Sequence, residues 1–266
     1  MYRFGFLLLW LSILTFRVNG QSTNVLVITL NGAINPAATD YINYGIEQAV
    51  EHNSECLVLR LNTPGGLLES TREIVSDILQ SPVPVVVYVS PPGSRAASAG
   101  VFITLSAHIA AMAPGTNIGA AHPVSLQGQM DSTMTEKVTN DAAAFIRTIS
   151  EKRNRNVKWA EDAVRKSISI TETEALKDNV IDLIANNTRD LLEKINGKEI
   201  KTVSGTATLN TKDAEIINVE MSFQQKLLSI LSDPNIAYIL FKKNIRRRQS
   251  MGRILTVGVC RLIGKC

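Results

Sequence analysis

One serine stands where it could act as a nucleophile. Ser98 lies in the stretch SRAASAGVF, which follows the apolar run VPVVVYVS and opens an apolar, helix-like segment. A serine that attacks an acyl carbon needs a base within hydrogen-bond reach and donors for the developing oxyanion. The backbone N–H of Ala99, at the start of the helix, could be one such donor. The stretch departs from the G-x-S-x-G nucleophile elbow at its first position, and small residues also mark close packing, so both interpretations are open.

A second donor could come from the turn NTPGG, which holds Gly65 and Gly66 directly after an apolar run. Glycines let a backbone approach a bound chain closely. This turn and the Ser98 loop both follow predicted strands, and the carboxyl edge of a parallel sheet is where such folds bind ligands. We therefore expect Gly65, Gly66 and Ala99 near the serine.

The residue types alone leave the choice of base open. Of the three histidines, only His122, in GAAHPV, occupies a suitable loop. Lys137 is the other candidate, near the start of a predicted helix and at the flank of its apolar stripe. A lysine base must be neutral, which requires burial or cationic neighbours. Asp141, one turn further on, would instead favour the charged ammonium.

The elements that must position these residues form an alternating pattern. Apolar runs at 24–30, 56–61 and 83–89 predict buried strands, and helical patterns separate them. Asn35 is a suitable N-cap with Pro36 at the first helical position, and LLESTREIVSDILQ predicts the next helix. Strands that are apolar throughout and separated by helices predict a parallel sheet covered on both faces. The fold class is therefore layered α/β.

The second half continues with shorter elements. Apolar residues at helical spacing predict a helix over 133–153, and another is expected over 157–167. Thr171 and Glu174 form a predicted capping box, and Asn179 should end that helix. The pattern then predicts a strand at VIDLIA, a hairpin over 198–211, the segment EIINVEM and a short helix around KLLSIL.

The two ends differ in composition from the body. Residues 1–20 have an early arginine, an apolar centre and small residues before Gln21, as in a secretory signal peptide. Residues 242–266 carry eight Lys and Arg and no acid, whereas the whole chain has a net charge of only +4. The body is therefore net negative, which argues against a nucleic-acid-binding domain. Three cysteines without metal-ligand spacing predict neither a disulfide framework nor a metal site, and we expect no cofactor.

Five motifs in this order resemble a known family: NTPGG, GSRAASAG, APGTNIGAAHPV, TEKVTNDAAAFIRTIS and SITETEALKDNVIDLIA. Together they are similar to the membrane-bound serine proteases of the NfeD type, relatives of signal peptide peptidase A. The resemblance covers about residues 24–241 and implies a Clp protease/crotonase-like layered fold. It implies a Ser-Lys dyad of Ser98 and Lys137, with the oxyanion hole formed by Gly65 or Gly66 and the amide of Ala99. His122 would then shape the site.

The resemblance also implies a biological setting. The family suggests an exported, ATP-independent endopeptidase that is often dimeric and cleaves hydrophobic segments of membrane proteins, with stomatin-like proteins as typical substrate or partner. We thus predict a protease domain over 21–241, in a periplasmic or membrane-associated location. Longer family members continue into transmembrane helices and a small β-barrel, whereas here the chain turns basic, so 242–266 is interpreted as an altered or truncated membrane region.

Two other functions fit the same residues. A non-catalytic module with this fold would hold hydrophobic peptides or scaffold a membrane complex, and Asp141 motivates that alternative. Acyl-CoA chemistry is the other, because crotonase-like folds host hydratases. It is disfavoured because the two glycine-bearing loops show no pair of acid/base carboxylates.

Overall fold

The computed structural model describes residues 23–124 and 131–231. In these ranges the elements follow in the order β1 (Asn24–Asn31), α1 (Pro36–Glu51), β2 (Leu57–Asn62), α2 (Leu68–Gln80), β3 (Val85–Val89), β4 (Arg95–Ala97), α3 (Ala99–Ser106), β5 (Ile109–Met112), β6 (Asn117–Gly119), α4 (Ser132–Lys152), α5 (Val157–Arg165), β7 (Ser169–Thr171), α6 (Glu172–Lys177), β8 (Leu183–Ile184), α7 (Thr188–Ile195), β9 (Glu199–Thr202), β10 (Gly205–Thr208), β11 (Glu215–Asn218) and α8 (Phe223–Leu231).

A six-stranded parallel sheet forms the centre of the fold. Its strand order is β11-β1-β2-β3-β5-β8, and each neighbouring pair runs parallel. The predicted layered α/β fold, with a parallel sheet flanked by helices, is confirmed. The predicted hairpin also forms, as the antiparallel pair β9 and β10. VIDLIA forms a shorter strand than predicted, because only Leu183 and Ile184 pair with β5.

Side chains alternate across the central strands and so build two separate cores. Leu26, Leu59 and Val87 lie on the face covered by α1 to α5. Val27 and Val58 lie on the opposite face, which α7 and the β9–β10 hairpin cover. Both faces of β1, β2 and β3 are therefore dry, which is why these strands read as continuous apolar runs.

Local side-chain bonds fix the ends of several helices. Asn35 caps α1 by accepting a 2.9 Å hydrogen bond from the N–H of Ala38. The predicted capping box at the start of α6 is present between Thr171 and Glu174. Helix α6 ends at Lys177, and Asn179 adopts a positive φ of 56° as the chain turns away. These sequence signals predicted the helix ends correctly because a cap needs only neighbouring residues.

A small second sheet was not predicted from the sequence. Strands β4 and β6 pair in parallel, and β6 pairs with β7 in an antiparallel sense. Each of these strands has only three residues, too few for an alternating pattern. This sheet holds the residues just before Ser98 and so positions the serine.

The predicted signal peptide over 1–20 and the basic tail over 242–266 lie outside the described residues. Within 23–124 and 131–231, none of the helices combines the length and the apolar character needed to cross a bilayer.

Candidate active site

A largely apolar groove of about 710 Å³ lies at the carboxyl edge of the central sheet. Its walls come from the start of α1, the turn after β2, the start of α3, residues 120–124 and one face of α4. Among the described residues that line it there is no Asp, Glu, Lys or Arg. Its polar side chains are Asn35, Thr71, Ser98 and His122. Both predicted loops, the NTPGG turn and the Ser98 loop, meet in this groove.

Ser98 occupies the N-cap position of α3 in a strained conformation. Its φ of 52° and ψ of −112° are unusual for a residue with a side chain. The backbone is held there by two hydrogen bonds: the Ser98 N–H donates to the Gly119 carbonyl at 3.1 Å, and its carbonyl accepts from Val101 N–H at 3.0 Å. The hydroxyl makes no capping bond to the helix. It is therefore left available in the groove.

Gly65 and Gly66 allow two different close approaches. A Cβ at Gly65 would lie 2.5 Å from Ser98 Cβ and 2.9 Å from its Oγ, and Gly65 has a φ of +116°. A Cβ at Gly66 would lie 2.0 Å from the Ile34 carbonyl oxygen. Gly65 thus makes room for the serine side chain, whereas Gly66 lets the turn pack against the chain leading into α1.

The backbone N–H groups around the serine differ in their availability. The Gly65 N–H donates to Thr63 Oγ1 at 3.0 Å. Among the described residues, neither the Gly66 N–H nor the Ala99 N–H has an acceptor. Both residues line the groove together with Ser98. The two glycines named from the sequence are therefore distinguishable, because only Gly66 has an N–H free to bind an oxyanion.

We expect Gly65→Ala to lower the rate of any Ser98-dependent reaction about 100-fold, because the new methyl group displaces the hydroxyl. Gly93→Ala is a matched control: Gly93 also has a positive φ, +86°, but nothing lies within 4 Å of an added Cβ. Turnover and thermal unfolding of both variants are to be measured. Equal turnover in the two variants would show that the contact with Ser98 is not critical.

Lys137 lies beside the groove and not in its lining. Its neighbours Val138 and Ala142 on α4 line the groove, while the Lys137 side chain is exposed to solvent. Among the described residues it has no ion-pair partner, and it makes no side-chain hydrogen bond, to Ser98 or to any other residue. The structure thus brings Ser98, Gly66 and Ala99 together and leaves Lys137 at the rim.

Asp141 has a different partner from the one its spacing suggested. Its carboxylate accepts a hydrogen bond and ion pair from the Arg72 guanidinium, 69 positions away in sequence. That guanidinium also lies over the Phe145 ring, with 4.2 Å from Cζ to the ring centroid. Phe145 in turn stacks on Phe102 of the groove at 5.6 Å. Asp141, which its spacing predicts to favour the charged form of Lys137, is therefore bound to Arg72 instead.

The three histidines occupy different places. His52 is exposed after α1. His108 follows the far end of α3, about 12 Å along the helix from its start, and its Nδ1 accepts the Val85 N–H at 3.1 Å. His122 lines the groove, and its Nδ1 lies 2.9 Å from the Val164 carbonyl oxygen, which can only accept. His122 thus carries its proton on Nδ1, which leaves Nε2 without one when the ring is neutral.

His108 should make folding sensitive to acid. Burial, followed by the nearby charges of Arg153 and Lys152, lowers its pKa from 6.5 to about 3. The unfolded chain binds the proton more readily, so this stabilising contribution is complete above pH 6.5 and is lost as the pH falls toward 3. Between pH 7 and 5 we expect the wild type to lose about 1–2 kcal/mol more unfolding free energy than His108→Asn, which keeps an acceptor. Urea unfolding at both pH values tests this, and identical pH dependence would refute it.

Comparison with known proteins agrees with this architecture. Residues 24–219 match the family described as the NfeD1b N-terminal domain. The chain belongs to this family. The predicted NfeD resemblance is thereby confirmed for most of the described residues.

Two curated relatives of this NfeD1b domain are longer proteins. The chain is 40% identical over 225 residues to the membrane-bound protease PH1510 of Pyrococcus horikoshii. The matched stretch covers 83% of this chain and 51% of the relative. The chain is 29% identical over 236 residues to the membrane protein NfeD1b of Bacillus subtilis, which covers 86% of this chain and 52% of the relative. The chain thus spans about half the length of each relative.

A solved structure also resembles this NfeD1b domain. The 1510-N membrane-bound stomatin-specific protease, as a lysine-to-alanine mutant bound to a substrate peptide, matches with a TM-score of 0.73 and 36% identity. The match covers 80% of this chain and 99% of that one. A serine-to-alanine mutant of the same protease matches with a TM-score of 0.71.

Proposed function

We propose that this NfeD1b domain is a serine endopeptidase in which Ser98 is the nucleophile and Lys137 the general base. Its substrates would be hydrophobic segments of membrane proteins such as stomatin-like proteins, cleaved without ATP. Export from the cytoplasm and homodimer formation belong to the same proposal, and they rest on the sequence resemblance. The stomatin-specific protease that shares 36% identity supports the substrate class.

The observation that carries the proposal is the environment of the Ser98 hydroxyl. It is free of helix capping, it lies in an apolar groove, and two unoccupied backbone donors, Gly66 N–H and Ala99 N–H, line the same groove. Donors fixed in a water-poor site stabilise a developing oxyanion more strongly than flexible ones, since they need no reorganisation.

The reaction would proceed in two halves. Neutral Lys137 takes the proton of Ser98 Oγ while Oγ attacks the peptide carbonyl carbon, and the carbonyl electrons move to oxygen. The oxyanion accepts hydrogen bonds from the Gly66 and Ala99 N–H groups. The amine then leaves with the proton from the lysine, and water, activated by the same lysine, hydrolyses the acyl-serine. Because the Lys137 side chain is exposed to solvent in the structure, it must turn toward Ser98 for the first step.

The groove favours an apolar substrate. The described residues lining it include no Asp, Glu, Lys or Arg, and they include the apolar residues Ile34, Leu67 and Phe102. A charged segment would lose its hydration there without gaining a partner, whereas an apolar segment gains from burial.

The outward position of Lys137 favours a second candidate, a module that holds hydrophobic peptides without cleaving them. That function needs the apolar groove but no base. The acyl-CoA alternative gains nothing from the structure, because the described groove lining lacks the carboxylates that a hydratase would use.

The test combines covalent labelling with cleavage, using the whole chain. A phosphonylating reagent should form one adduct on the peptide that contains Ser98, and an apolar 20-residue peptide should both slow the labelling and be cleaved. Saturable binding of that peptide, with no adduct and no cleavage from pH 5 to 10, would establish the holding module instead.

A further inference from the structure

We infer that Arg72 is a positioning residue that keeps Lys137 available as a base by holding Asp141 away from it. This inference rests on the proposed function. It assigns a role to an α2 residue that is not among the residues lining the groove.

Asp141 and Lys137 are natural partners by position. They are four residues apart on α4, so their Cβ atoms lie on the same side of the helix, about 5–6 Å apart. A carboxylate at that distance attracts the ammonium form of the lysine and opposes loss of its proton. Left alone, Asp141 would hold Lys137 charged and directed along the helix.

Arg72 removes that partner. Its guanidinium is bound to the Asp141 carboxylate, and it is fixed on its other side by the face of Phe145. The Arg72 side chain is 33% exposed and that of Asp141 63% exposed, so the pair itself contributes little to stability. The functional effect of the pair is that the Asp141 carboxylate does not pair with the Lys137 ammonium.

Aromatic stacking also connects the Arg72–Asp141 ion pair to the groove. Arg72 lies over Phe145, and Phe145 packs on Phe102, which lines the groove. Because the planar guanidinium both stacks and pairs, one side chain fixes its own position relative to the site. Asp141 is thus held at a defined point beside Val138 and Ala142.

Within residues 23–124 and 131–231, other charged side chains lie on α4 itself and on the helices α2 and α5. On α4 these are Glu136 and the capping Asp131, which accepts the Met134 N–H at 2.7 Å. On α5, Arg165 donates to Asn140 at 2.8 Å. Helix α3 contributes no charged side chain. Apart from Arg72, the charged residues of α2 are Glu69, Glu73 and Asp77.

Four variants separate charge from packing. Arg72→Met keeps bulk over Phe145 but frees Asp141, and we expect kcat/KM at pH 7.5 to fall about threefold to tenfold. The pH–rate profile should move to higher pH, so that the deficit shrinks in alkali. Arg72→Lys keeps the charge but loses the planar stack, so its rate should lie between those of the wild type and Arg72→Met. Asp141→Asn should match the wild type, and Arg72→Met combined with Asp141→Asn should regain the lost rate.

A matched control is available on α4, the helix that carries Lys137. Arg147 pairs with Glu161 at 2.6 Å, so Arg147→Met removes an ion pair of the same kind at a distance from Lys137. It should leave the pH–rate profile unmoved. If Arg72→Met is normal, or if its defect persists in the double variant, the inference is wrong.

A second measurement is independent of cleavage. In Ser98→Ala protein, the rate at which acetic anhydride modifies Lys137 at pH 8, followed by mass spectrometry, should fall in the Arg72→Met background and recover with Asp141→Asn. If the wild type does not cleave peptides but this reactivity pattern appears, the proposed function fails and the role of Arg72 stands. If cleavage is normal and the reactivity does not change, only the role of Arg72 fails.

Discussion

Ser98→Ala is expected to lower kcat for apolar peptide cleavage by about four to six orders of magnitude. The hydroxyl supplies the bond-forming atom, and Ser98 is the one serine among the described residues that line the groove. The fold should be unaffected within about 0.5 kcal/mol, because the hydroxyl makes no capping bond and alanine fits the same space. Peptide affinity should also be retained, since the groove wall is unchanged.

The control for this variant is Ser76→Ala, which loses only a surface hydrogen bond from Gln80. Single-turnover cleavage and peptide affinity are to be measured for both proteins. Cleavage by Ser98→Ala at the wild-type rate would mean that the serine is a packing residue and that the peptidase mechanism is wrong.

Lys137→Arg is expected to be nearly as inactive as Lys137→Met, with kcat/KM at least 1,000-fold below the wild type. Arginine keeps the positive charge but cannot lose its proton near neutrality, so it cannot serve as a base. A residue that merely attracted or positioned the substrate through its charge would tolerate arginine. The wild-type rate should rise with pH, because the ammonium form of lysine has no lone pair to accept the serine proton.

Lys152→Met controls for loss of a lysine from the same helix, since Lys152 lies in the last turn of α4, far from the groove. Because a nucleophile and its base act as one unit, Ser98→Ala combined with Lys137→Met should be no slower than Ser98→Ala alone. Substantial activity in Lys137→Arg would assign the base role to another group. His122 would be the first residue to test as that base, because it lines the groove and its Nε2 carries no proton when the ring is neutral.

The sequence predicted those parts of the fold that depend on neighbouring residues. Strands β1, β2 and β3 follow from uninterrupted apolar runs, and the Asn35 cap needs only the three residues after it. Strand β4 gives no local sequence signal, because its three residues acquire partners only when β6 lies beside it. The pairing of β1 with β11 likewise joins segments that are about 190 residues apart, which local patterns cannot specify.

The candidate site shows the same division. Ser98 and the two glycines were identified from their motifs, but the motifs could not distinguish the glycines. That distinction came from Thr63, whose hydroxyl accepts the N–H of Gly65 and leaves Gly66 free. The sequence does not reveal the role of Arg72, because its partner Asp141 lies on another helix. Within α4, the spacing of four residues predicts instead that Asp141 pairs with Lys137.

The central sheet also divides the molecule into two regions in which substitutions are expected to have different consequences. The groove draws its apolar residues from the core that holds Ile34, Ala99 and Phe102, whereas Val27, Val58 and their neighbours form the core on the far face. Replacements on that far face must satisfy packing alone, because the backbone of the sheet lies between them and the reacting atoms. Substitutions there are therefore expected to change the stability of the protein and not its substrate preference, whereas substitutions on the opposite face can change both.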